Sequence, residues 1–63
     1  MLEEIVQGLR EIGMNEIQIG SELFWRGYEL NECQNDEQLI GWRSARVRER
    51  KLLEDERKAR GIR

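Results

Sequence analysis

Cys33 is the only cysteine in a chain of 63 residues that contains no histidine. These two facts limit what the chain can fold into more than any other feature. A disulfide framework needs a second cysteine, and a structural zinc site needs about four Cys or His ligands. Neither staple is available, so packing alone must hold the chain together. A chain this short makes at most one small domain, and such chains commonly recover missing burial by self-association. No histidine can activate Cys33, which reads as a free thiol rather than a nucleophile. No enzyme and no cofactor are expected. The longest apolar run falls well short of the roughly 20 residues of a membrane span. The acidic start Met1-Leu2-Glu3-Glu4 is unlike the basic first region of a signal peptide. A reducing, cytoplasmic setting follows as the expectation.

Apolar periodicity points to an all-α fold. Leu2, Ile5, Val6, Leu9 and Ile12 share one helical face, which predicts a helix over 2–12. Glu3 and Glu4 suit its first turn, and Gly13 suits a left-handed C-terminal cap. A second helix is expected over 15–31, with Asn15 as N-cap and Ile17, Leu23, Phe24, Tyr28 and Leu30 as apolar mass. Gly20 weakens that helix and leaves Ser21 as an alternative cap for a shorter one. Asn35 and Gln38 have capping-box spacing and predict a third helix over 36–58. Its apolar side is thin: Leu39, Ile40, Trp42, Val47, Leu52 and Leu53. Residues 59–63 read as a frayed tail. The short link at 32–35 predicts an antiparallel helical hairpin of the second and third helices, with the first packed against it. The expected architecture is thus a two- or three-helix domain over 1–63 that forms a homodimer.

Three groups of residues are candidates for an interaction. Gly13, Gly20, Gly27 and Gly41 are spaced by seven, seven and fourteen. Gly20 and Gly27 on one helical face would admit a neighbouring backbone, whereas the plainer reading makes Gly13 a cap and the others incidental. Leu23, Phe24, Trp25 and Tyr28 crowd into about one and a half turns, so Trp25 points away from Phe24 and Tyr28. Trp25 and Trp42 are each a core residue or a contact residue. Arg43, Arg50 and Arg57 recur every seven residues, with Arg46 beside them. That stripe can hold phosphates or face acids of a second chain such as Glu22 and Glu29. It can also be a solvated face neutralised at i,i+4 by Arg50–Glu54, Lys51–Asp55, Glu54–Lys58 and Glu56–Arg60.

Charge is segregated along the chain. Residues 1–32 hold seven acids and two bases, a net of −5, while residues 33–63 hold nine bases and six acids, a net of +3. The sequence pI near 5.1 argues against a dedicated nucleic-acid binder.

The segments Phe24-Trp25-Arg26-Gly27-Tyr28 and Arg43-Ser44-Ala45-Arg46-Val47-Arg48-Glu49-Arg50 set the texture of the whole chain. In that texture and in length it resembles the small accessory proteins of lambda-like phages and prophages, the short products encoded between the exonuclease and excisionase genes. The resemblance implies a non-enzymatic factor in the cytoplasm of a bacterial host, acting through protein contacts; it assigns no residue a role. The expected function is an interaction or regulatory protein that binds itself and a host or phage protein, with no membrane partner. The alternative is a small DNA-binding regulator using Arg43, Arg46, Arg50 and Arg57.

Overall fold

The computed structural model describes residues 1–59. Helix α1 spans Leu2–Glu11, α2 spans Glu16–Trp25 and α3 spans Asp36–Ala59, with a 3-10 turn at Leu30–Glu32. Among the described residues there is no strand, so the fold is all-α. The expected tail at 59–63 lies, beyond Ala59, outside the described residues.

Two helices end in the same way. At the end of α1, the Gly13 amide bonds the Arg10 carbonyl at 3.0 Å and the Met14 amide bonds the Leu9 carbonyl at 3.1 Å. At the end of α2, Gly27 bonds Phe24 and Tyr28 bonds Leu23, both at 3.0 Å. These paired bonds define a Schellman motif, which needs a left-handed residue where Gly13 (φ +101°) and Gly27 (φ +93°) stand. In each motif an apolar residue follows the glycine, and Met14 and Tyr28 pack on the core beside Leu9 and Leu23.

The second motif corrects the expected helix over 15–31. Gly27 stops α2 at Trp25, because the apolar residues beyond it serve a turn and not a continuing helix. Ile12 is corrected for a similar reason. It lies past the last residue of α1, in the C-cap position, and is exposed rather than on the buried face.

Helices α2 and α3 pack against each other as the hairpin reading requires. Their relative direction differs from the antiparallel expectation. Glu16, the first residue of α2, hydrogen bonds Asn35 and Gln38 at the start of α3, and Phe24, near the end of α2, meets Trp42 further along it. The two starts therefore lie together. With α2 ending at Trp25, ten residues rather than four connect the helices, and the chain doubles back through the 3-10 turn before α3 begins.

The core is small. Val6, Leu9, Ile19, Leu23 and Trp42 form the buried cluster, with Ala45 also buried on α3. Leu2, Ile5, Met14, Phe24, Tyr28, Leu30 and Cys33 pack around it. Gly20 and Gly41 let α2 and α3 touch backbone to backbone. A Cβ on Gly20 would strike the Gln38 carbonyl, and one on Gly41 would strike the Ile17 carbonyl. The close approach expected of the glycines thus involves Gly20 with Gly41, while Gly27 belongs to the cap.

Candidate functional site

The starts of α2 and α3 and the end of α1 meet at one carboxylate. Arg10 donates from Nε to Glu16 Oε2 at 2.7 Å and from Nη2 to Oε1 at 3.0 Å. Asn35 Nδ2 and Gln38 Nε2 each donate to Glu16 Oε1 at 2.9 Å. The hydrogen bonds from Arg10, then Asn35, then Gln38 hold the Glu16 carboxyl down at about 2, from an ordinary 4.5. The same bond raises the Arg10 guanidinium. Gln38 is fully buried and fully satisfied, since its Oε1 accepts the Gln34 amide at 2.7 Å. Asn15 and Asn35 cap their helices by accepting the amides of Gln18 and Gln38, each at 2.8 Å. These residues organise the fold and present nothing reactive to solvent.

Cys33 is equally quiet. Its thiol lies 3.7 Å from the Gln38 carbonyl, and burial, followed by the nearby Glu32 charge, pushes its pKa up. A raised thiol pKa disfavours the thiolate, which is the nucleophilic form. Among the described residues no cluster of His, Cys, Asp or Glu could hold a metal ion.

The aromatic residues divide into core and edge. Trp42 is buried, and its Nε1–H donates to the Tyr28 carbonyl at 2.8 Å. Phe24 stacks edge-on against Trp42 at 5.1 Å and against Trp25 at 5.0 Å. Trp25 is 49% exposed and forms the outer end of this row. Arg46 lies over the Trp42 ring, 5.7 Å from its centroid. Tyr28 is half-buried, and its carbonyl, rather than its ring, fixes Trp42.

Past Ala45 the character of α3 changes. Every residue from Arg46 to Lys58 is exposed, including Val47 (65%), Leu52 (57%) and Leu53 (54%). This segment projects beyond the core and stretches the molecule to 46 Å along its longest axis, against 21 and 19 Å across. Steps of 100° place Arg43, Arg46, Arg50 and Arg57 on one side of it, as the sequence spacing requires. The expected neutralising pairs Arg50–Glu54, Lys51–Asp55 and Glu54–Lys58 do not form an ion pair among the described residues. Arg60, the expected partner of Glu56, lies outside them. Glu22 pairs with Arg26 at 3.2 Å, and the backbone amide of Glu29 donates to the Glu32 carboxylate at 3.1 Å beside the 3-10 turn.

Sequence spacing located the arginine stripe, whereas it left Trp25 and Trp42 open between core and surface; Trp42 is buried and Trp25 exposed. Spacing did not reveal Glu16, which draws its partners from three separate segments, nor Gly41 as the mate of Gly20. Compared with known protein families, characterised proteins and solved structures, the chain matches none. No helix among the described residues is long and apolar enough to cross a membrane.

Proposed function

We propose that this chain is a small non-enzymatic interaction or regulatory protein, and that it acts by binding a protein partner along α3. One observation carries the reading: the run from Arg46 to Lys58 is helical, yet each of its residues is exposed among the described residues. A helix of about 13 residues is marginal in water without tertiary packing. Three large apolar side chains in that run add to the case, because a partner would bury them. The likeness in texture to small phage accessory proteins supports such a role, with the cytoplasm of a bacterial host as its proposed setting.

The test is capture from a nuclease-treated bacterial lysate by the wild-type chain and by a Val47→Asp, Leu53→Asp variant. The wild type should retain a defined protein that the variant loses. Retention that disappears with nuclease treatment would contradict the reading. It would favour the second one, a DNA-binding regulator, which the lack of ion-pair partners for Arg43 and Arg50 among the described residues supports. Binding through several phosphate contacts would also fall steeply with salt.

A further inference from the structure

We infer that a second copy of this chain occupies α3, its α1 acids lying on the arginines of the stripe; this rests on the proposed role of α3 as a protein-binding face. The two surfaces carry matching repeats. On α1, Glu4 recurs as Glu11, seven residues on, with Ile5 after the first and Ile12, in the C-cap position, after the second. On α3, Ile40 and Arg43 recur as Val47 and Arg50, also seven residues on. Seven helical residues rise about 10.5 Å, so the two charged rows have equal spacing and opposite sign. Each row runs beside an apolar one. Ile12, Ile40 and Val47 are exposed, and Ile5 is half-buried. Within one chain these rows do not meet: Glu11, Arg43 and Arg50 have no ion-pair partner among the described residues, and Glu4 has only an exposed 3.5 Å pair with the Met1 amine.

The segregation of charge, −5 over residues 1–32 and +3 over residues 33–63, points the same way. Opposed patches steer two copies together and fix their register. A two-fold axis makes the contact twice, α1 of each copy on α3 of the other, and closes the assembly as a dimer. Glu22 is not among the acids involved, because its carboxylate already pairs with Arg26 within its own chain.

Charge reversal tests this. Sedimentation equilibrium at low salt should give the wild type twice the 7.6 kDa chain mass, shifting towards one chain as salt rises. The variant Arg43→Glu, Arg50→Glu and the variant Glu4→Lys, Glu11→Lys should each be monomeric, with helical circular dichroism retained. Mixed one to one they should associate, since each then meets a face of opposite sign. The milder Gln versions should weaken association by about tenfold. A wild-type mass of 7.6 kDa at all concentrations, or a mixture that stays monomeric, would overturn the inference. So would duplex DNA binding lost on reversing the arginines and not accompanied by association of the mixture. If capture of a distinct protein through α3 survives either result, only the second copy is excluded and the role of α3 stands.

Discussion

Glu16 concentrates much of what holds the three helices in place. One carboxylate accepts from Arg10 at the end of α1 and from Asn35 and Gln38 at the start of α3. Because its folded pKa of about 2 lies below its ordinary 4.5, the charged form is the one the fold favours. The stabilisation is fully present above about 4.5 and is lost as pH falls towards 2. Thermal melts between pH 7 and pH 2 should show a fall in midpoint over that window. Glu16→Gln should be less stable at pH 7 and flatter across the same range. Equal pH dependence in the two proteins would mean that Glu16 is not the group responsible. Nothing at position 16 announces this in sequence: one Glu in a first turn looks like any other, and its partners lie 6, 19 and 22 residues away.

At the scale of elements, the glycines sort into stops and crossings. Gly13 and Gly27 end α1 and α2, while Gly20 and Gly41 bring α2 and α3 into backbone contact. Gly20→Ala or Gly41→Ala should destabilise by about 1–3 kcal/mol or more, because the methyl meets backbone that cannot step aside. Gly8→Ala should stabilise by roughly 0.5–1 kcal/mol, since Gly8 is within α1 with open space beside it. Urea melts of the three variants check both signs; a Gly20→Ala protein as stable as wild type would remove the crossing. The three helices, the Asn15 and Asn35 caps and Gly13 were legible because period and capping chemistry are local. The direction of α2 against α3 was not. It depends on where α2 stops, and the apolar Tyr28 and Leu30 beyond Gly27 imitate a continuing helix although they pack from a turn. The arginine stripe was legible from spacing alone, but its lack of local ion pairs depends on side-chain conformations that spacing does not specify.

For the whole molecule, the core of Val6, Leu9, Ile19, Leu23 and Trp42 covers one half of α3 and leaves the other half bare. We propose that this exposed half, Arg46 to Lys58, is held in its helix by association with a partner. Amide hydrogen exchange across a dilution series reads this directly. In the dilute protein the amides of 47–58 should exchange far faster than those of 19–23, and they should slow as concentration rises. Protection of 47–58 equal to that of the core at every concentration would contradict the account, because the helix would then be stable without any partner.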